Sequence, residues 1–307
     1  MNKRYILLFL ALCWISQAFG NEAVSEFNGK VDSVYGNLNS SDGWISEGSV
    51  SFPIADTLGF QFDALHADVE EVDFSGLGGH LFWRDHEIGL LGISFGGVFG
   101  DEVDSYELSI EGEYYFSWIT LGAKTGYASI EYEDYVPFIE TEKDVAFGLL
   151  YFTAYPIDDL SVTVGLESRF DNDSIRLDAE YELPVDGLSL FSRSMIAEND
   201  YDHVLFGLRY YFGGNKSLKQ RHRHDDPRNV VQDVLFGVGT YGAEYNKRGN
   251  EFISKIRANG RSGSFDNFGS FDTYGFVASM SDYDSFNNYN YAPGTFSFNP
   301  VLPNETP

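Results

Sequence analysis

Tyr106-Glu107-Leu108-Ser109-Ile110-Glu111-Gly112-Glu113-Tyr114-Tyr115-Phe116 is the stretch that decides how this chain is read. Apolar or small residues at 106, 108, 110, 112, 114 and 116 alternate with Glu107, Ser109, Glu111, Glu113 and Tyr115. A period of two gives a β-strand one greasy face and one face with three carboxylates. Leu160, Val162, Val164 and Leu166 repeat the pattern against Ser161, Thr163, Gly165 and Glu167. So do Ile175, Leu177, Ala179, Tyr181 and Leu183 against Arg176, Asp178, Glu180 and Glu182. In a soluble sandwich the apolar faces meet each other, whereas in a membrane barrel they face lipid and the charged faces line a lumen. Alternation alone leaves both open.

Working outward, twelve such segments fall at 26–38, 43–53, 57–69, 74–84, 88–100, 105–116, 118–131, 143–154, 160–170, 175–183, 188–197 and 203–212. The number is even, as a single-chain bacterial barrel with both ends in the periplasm requires. Connections at 53–56, 84–87, 117, 155–159 and 184–187 read as tight turns and are assigned to the periplasm. Those at 39–42, 70–73, 101–104, 132–142, 171–174 and 198–202 are acidic, are assigned to the outside, and only 132–142 is long. Composition agrees with strands, with 20 Tyr, 27 Phe and 32 Gly against 9 Pro. The net charge of −27, from 47 acidic and 20 basic residues, repels phosphate backbones and argues against a nucleic-acid partner.

Lys3 and Arg4 precede an apolar run from Tyr5 to Ile15, and Ala18-Phe19-Gly20 supplies small residues for cleavage, so residues 1–20 read as a secretory signal peptide. The single cysteine, Cys13, lies inside that leader, which leaves residues 21–307 with no thiol for disulfide, catalysis or metal.

The last segment carries Val204, Phe206, Leu208, Tyr210 and Phe212 on one face. Its GLRYYF at 207–212 resembles the closing-strand signal of Gram-negative outer-membrane β-barrels, a glycine with aromatics at +3 and +5: Gly207, Tyr210 and Phe212. GGHLFWRD at 78–85 and KSLKQRHRHDDP at 216–227 also look like segments of porin-like proteobacterial proteins. The resemblance implies an all-β, antiparallel up-and-down transmembrane β-barrel over 21–212, located in the bacterial outer membrane. Its implied surroundings are outer-membrane lipid, lipopolysaccharide and the barrel-assembly machinery that reads such a closing strand.

Such barrels usually end at the terminal Phe, but here 95 residues follow, and the charge changes with them. Residues 21–212 hold 37 acidic and 8 basic side chains, whereas 213–307 hold 10 of each. Beyond Gly260 the chain is rich in Ser, Asn, Gly, Phe and Tyr, with SFDNFG at 264–269 repeated as SFDTYG at 270–275. Ordering each residue costs ~1–2 kcal/mol, and such composition offers little burial in return. Residues 213–307 are therefore expected to be a periplasmic, largely disordered, low-complexity tail, with a partly helical stretch at 230–256 left open. If the tail folds back, Lys216, Lys219, Arg221 and Arg223 are its expected anchors on Glu107, Glu111 and Glu113.

Seven of the eight bases within 21–212 fall on inward positions: Lys30, Arg84, Lys124, Arg169, Arg176, Arg193 and Arg209. With Glu107, Glu111, Glu113, Glu167, Asp178 and Glu180 they make the expected lumen lining, either a charged filter or a salt-bridged filling. Twelve strands lie between the eight of a filled barrel and the 16–18 of an open channel. His66, His80, His86 and His203 have no serine at a diagnostic spacing, so no catalytic residue and no enzyme is expected. The acidic clusters at 70–73 and 101–104 lack the glycine and spacing of a calcium loop, and His222-Arg223-His224-Asp225-Asp226 diverges on an extended chain; no metal site and no cofactor is expected. The function read from this is a porin-like barrel for passive diffusion of small solutes with a modest cation preference. The alternative is a non-conducting structural barrel whose periplasmic tail binds a partner or peptidoglycan.

Overall fold

Asn39 and Ser40 both have positive φ, 50° and 74°, and so do Phe170 and Asp171, 52° and 61°. Two successive residues of that hand make the two-residue hairpin turn whose twist matches its flanking strands. In the computed structural model, which describes residues 23–69, 72–101, 103–132, 142–225 and 227–259, such turns at 39–40 and 170–171 join neighbouring strands in one antiparallel meander of twelve strands. The strands are β1 (Asn28–Leu38), β2 (Ser41–Ala55), β3 (Leu58–Val69), β4 (Val72–Asp85), β5 (Gly89–Gly100), β6 (Val103–Tyr115), β7 (Ile119–Tyr132), β8 (Glu142–Ile157), β9 (Leu160–Arg169), β10 (Asn172–Glu182), β11 (Leu188–Ala197) and β12 (Asp202–Phe212). Each pairs with its neighbour, and β1 pairs with β12 from Gly29↔Phe212 to Leu38↔His203, closing the barrel without an edge.

The count matches the periodicity, but several strands run longer than the sequence pattern suggests. Ser41, Asp42 and the Asn172-Asp173-Ser174 run pair in the ladder instead of forming loops. Polar residues at a strand end continue pairing when the turn beyond them needs only two residues. The acidic end is therefore as tight as the other at 39–40 and 170–171. Residues 133–141, the core of the long loop, and 1–22, 70–71, 102 and 226 lie outside the described residues, as does 260–307. Both register breaks, at Pro53/Ala55 and Ala154/Ile157, fall by prolines at the opposite end, where a missing N–H is tolerated.

The outer face is apolar. Leu91, Leu108, Ile110, Leu150, Leu166, Ile175 and Leu177 are each more than half exposed, and Tyr114, Phe116, Trp118, Tyr210 and Phe212 stand near the tight-turn rim. A closed barrel that satisfies every ladder while presenting an apolar wall with an aromatic rim is built for a bilayer. No helix among the described residues is long and apolar enough to cross one. Tyr210 and Phe212 pack edge to face at 5.1 Å on the closing strand. Tyr210→Ala with Phe212→Ala is expected to lower the yield of heat-modifiable, folded barrel, because it strips the lipid-level aromatics from the β1–β12 seam. Unchanged yield on semi-native gels would show that closure does not depend on them.

Beyond β12 the chain is not a disordered tail throughout. Gly213 and Gly214 take positive φ, 88° and 71°, and turn it back to α1 (Leu218–His224), which lies across the tight-turn mouth. Then α2 (Val230–Asn259) enters the lumen, and every residue from Val230 to Ala243 is buried there. A barrel of twelve strands measures about 24 Å between opposite backbones, from ~4.8 Å strand spacing and a ~40° tilt. One helix of ~10–12 Å diameter fills that space once wall side chains are counted. The expectation of a largely disordered tail over 213–307 fails for 218–224 and 230–259, the second covering the helical stretch left open at 230–256, because Val230, Val231, Val234, Leu235, Phe236 and Val238 find an apolar surface inside the barrel.

Candidate functional site

The lumen is the candidate site, and its two halves differ. Toward the acidic end the inward face is largely apolar, with Leu38, Ile45, Val69, Phe74, Ile130 and Phe147 in one buried cluster with the apolar side chains of α2, and with Glu107, Glu167, Arg169 and Arg176 set among them. Toward the tight turns the inward face is polar and charged, with Arg84, Glu113, Glu180 and Arg209. A helix that is apolar all round can rest only where protein surrounds it.

Glycines in the wall let α2 come close. A Cβ at Gly76 would lie 2.2 Å from Val231 Cγ1, and one at Gly78 2.5 Å from Val230 Cγ1. At Gly96 the nearest atoms are all side chains of α2, Val230 and Val234, at 3.3–3.4 Å. Gly76, Gly78 and Gly96 thus form a groove on β4 and β5 rather than a turn.

The barrel wall caps the start of α2. Val230 N–H donates to Asp63 Oδ2 at 3.1 Å, and Gln232 N–H donates to Asn229 Oδ1 at 3.1 Å. Two of the open N–H groups at the helix start are so satisfied, and a carboxylate meets the positive end of the helix dipole. Asp63 also accepts from Ser49 Oγ at 2.6 Å and Gln61 Nε2 at 2.8 Å, and His80 Nε2 lies 2.9 Å from it. The other ring nitrogen of His80 lies 2.7 Å from Glu111. Pro227 carbonyl oxygen accepts from Lys30 Nζ and Gln61 Nε2, both at 3.2 Å.

One turn into α2, Asp233 accepts from Lys124 Nζ at 3.0 Å and Arg176 NH1 at 2.6 Å. The chain of charge continues through Lys124 to Glu107 at 2.6 Å, Arg169 to Glu107 at 2.7 Å, Arg169 to Glu167 at 2.8 Å, and Arg176 to Glu167. On the facing wall Arg209 grips Asp32 with two nitrogens, at 2.6 and 2.7 Å, and reaches Glu180 at 2.7 Å. Arg193 reaches Glu47 at 2.8 Å, and Gln232 of α2 donates to the same oxygen at 2.8 Å. Arg228 donates to Asp178 at 2.9 Å. Buried pairs of this kind contribute specificity of seating more than net stability, because desolvation offsets much of the Coulomb attraction.

All thirteen charged positions read from the alternation face inward. Ten of them are buried; Glu113, which accepts from Tyr115 and Tyr151 hydroxyls at 2.9 and 2.6 Å, and Asp178 and Arg193 are partly so. Four further inward carboxylates, Asp32, Glu47, Asp63 and Glu182, belong with them, as does Asp233 from α2. Asp32, Glu47 and Asp63 follow the same alternation on β1–β3; nothing in the local pattern marks Asp233.

The basic cluster of the tail anchors differently from the fold-back expectation. Lys216 meets Asp225 at 3.0 Å, Lys219 meets Asp158 at 3.2 Å, and Arg221 meets Glu182 at 3.2 Å and Asp186 at 3.3 Å. Arg223 donates to Ile119 carbonyl oxygen at 2.7 Å and lies over the Tyr115 and Tyr155 rings. A seven-residue helix capped by Ser217 and Gln220 holds these bases at the mouth, too far out for Glu107 or Glu111. His224 stacks on His86 at 4.4 Å. Partial burial, then the neighbouring His86 and Arg84, push the His224 imidazole down to about 4, so it stacks uncharged near neutral pH. Ala23 and Val24 complete this end, packed on Phe82, Leu90 and Tyr115.

Among the described residues a polar cavity of about 100 Å³ lies beside Pro227, Arg228 and Asn229. His203 is buried against the Phe236 ring at 4.2 Å, and His66 stands 4.0 Å from Asp73 at the acidic rim. Among the described residues no group of His, Cys, Asp and Glu has the arrangement of a metal site.

No family model matches the chain. No curated protein matches it either. Among solved structures, a KdgM porin is similar with a TM-score of 0.46 and 9% identity, over 60% of this chain and 99% of that one. A NanC porin gives 0.44 and 8%, over 59% and 98%. The outer membrane protein Omp33 of Acinetobacter baumannii gives 0.40 and 10%, over 61% and 99%. At these values the likeness goes no further than the barrel. The closed meander and its apolar, aromatic-rimmed outer wall make this chain a β-barrel built to span a membrane.

Proposed function

We propose that the protein is a porin-like barrel whose passage is held shut by its own helix α2, and that the passage, once freed, admits small solutes with a modest preference for cations. The observation that carries this is the seating of Asp233 between Lys124 and Arg176 in a lumen packed from Val230 to Tyr241. The cation preference rests on the wall. Ten inward carboxylates, the six read from sequence plus Asp32, Glu47, Asp63 and Glu182, face seven inward bases. A narrow low-dielectric passage focuses that excess, and added salt screens it.

The test is ion conductance in planar bilayers, comparing the full chain with a variant ending at residue 215, each first shown to be heat-modifiable. The full chain is expected to be silent. The shortened barrel is expected to conduct, with reversal potentials favouring potassium over chloride and less so as salt rises. A folded but silent shortened barrel would favour the structural reading, for which the buried apolar cluster inside the lumen is the supporting observation. Anion preference would remove the cation reading alone. GLRYYF at 207–212 is, in the same proposal, the signal read by the assembly machinery.

A further inference from the structure

The direction of α2 has a topological result. Its first N–H, that of Val230, is held by Asp63, midway along β3. Two turns later Phe236 stacks on His203, next to the first residue of β12. One turn beyond, Thr240 carbonyl oxygen accepts from Asn199 in the acidic β11–β12 connection. Tyr241 packs on Phe170, in the β9–β10 turn, at 5.2 Å and on Tyr132, the last residue of β7, at 5.9 Å. All of these last partners belong to the acidic end, whereas Phe212 and α1 belong to the tight-turn end. The chain therefore leaves the barrel wall at one mouth and passes through the lumen to the other.

Burial ends where this path predicts. Residues 230–243 are buried, and Lys247 is exposed. The helix continues to Asn259, so 18 residues follow Tyr241 within it, a rise of ~27 Å at ~1.5 Å per residue. Forty-eight residues follow Asn259, among them the SFDNFG and SFDTYG copies.

We infer that the barrel is also an anchor and conduit for its own C-terminal segment, with α2 as a stalk threaded through the lumen and everything beyond it presented at the acidic mouth, outside the cell. This reverses the side on which a tail following the closing strand would lie. The assignment rests on the seated α2 and on tight turns facing the periplasm, the ordinary arrangement for short connections in such barrels. It does not depend on whether α2 blocks ions.

Residues 21–307 contain no cysteine, so single thiols can be read without background. Ala258→Cys and Lys247→Cys report the stalk, Asp101→Cys the acidic mouth, and Asn215→Cys, exposed beside α1, the tight-turn mouth. Folded full-length variants are exposed to a membrane-impermeant maleimide on intact cells and again after lysis. The expected result is that Ala258→Cys and Lys247→Cys label on intact cells like Asp101→Cys, whereas Asn215→Cys labels only after lysis. If the stalk positions follow Asn215→Cys instead, the threaded path is overturned. If Asn215→Cys alone labels on intact cells, presentation outside the cell is overturned. A full-length barrel that conducts while Ala258 labels with Asp101 would sink the closed-passage proposal and leave the threaded path standing.

Discussion

Asp233→Ala is expected to turn a silent barrel into one that opens in bursts. Asp233 is the acceptor shared by Lys124 and Arg176, and its side chain is 5% exposed. Removing one member of a buried ionic group costs ~3–5 kcal/mol, because Lys124, Arg169 and Arg176 are left to share Glu107 and Glu167 alone. A loss of that size raises the population of unseated α2 by ~10²- to 10³-fold, which reads as intermittent opening. Single-channel recording of the full-length variant is the measurement. Arg176→Met added to Asp233→Ala is expected to restore part of the closure, since one stranded cation is gone and Glu167 keeps Arg169. Silent traces from the single variant, with the barrel still folded, would show that the charge group does not seat the helix.

Filling the glycine groove is expected to have the second large effect, without touching any charge. At Gly96 a new side chain meets only Val230 and Val234 of α2, and at Gly76 it meets Val231 first. Overpacking costs ~1–3 kcal/mol per site, and Gly76→Val with Gly96→Leu sets two such wedges against one turn of the helix. The pair should raise conductance of the full chain and speed proteolysis at Lys247 and Arg248. In the barrel ending at residue 215 Gly96→Leu alone should change melting little, whereas Gly76→Val also presses on the Gly97 carbonyl oxygen and Val98 of β5. Equal loss of melting temperature with and without α2 would mean that the glycines serve the strands and not the helix.

The strand count and the inward charges were legible because each is a local property. Glu107, Glu111 and Glu113 announce their face by alternating with Tyr106, Leu108 and Ile110, and a strand needs only its neighbours to place them. Asp63 and Glu47 sit in the same alternation, but among fewer charges, so they stand out less. The most abundant composition of the tail is the Ser, Asn and Gly beyond Gly260, which returns little against the cost of ordering. For 230–243 the balance differs, since a buried Val, Leu or Phe returns ~1.5–3 kcal/mol against ~1–2 kcal/mol of backbone ordering.

What the amino-acid order determined by itself is therefore the strands: twelve period-two segments, an even number, each with an apolar face and a polar or charged face. What only the tertiary structure decided is the contents of the barrel interior and the side on which the chain leaves it. The sequence VVQDVLFGVGTYGA at 230–243 has apolar residues on every side and no face of its own to show where it belongs. Its partners, from Val34 and Ile45 to Phe147, Phe170 and Tyr132, are scattered over more than a hundred residues. They become one surface only after β1 has paired with β12, and a surface made by closure has no signature in any window of the chain.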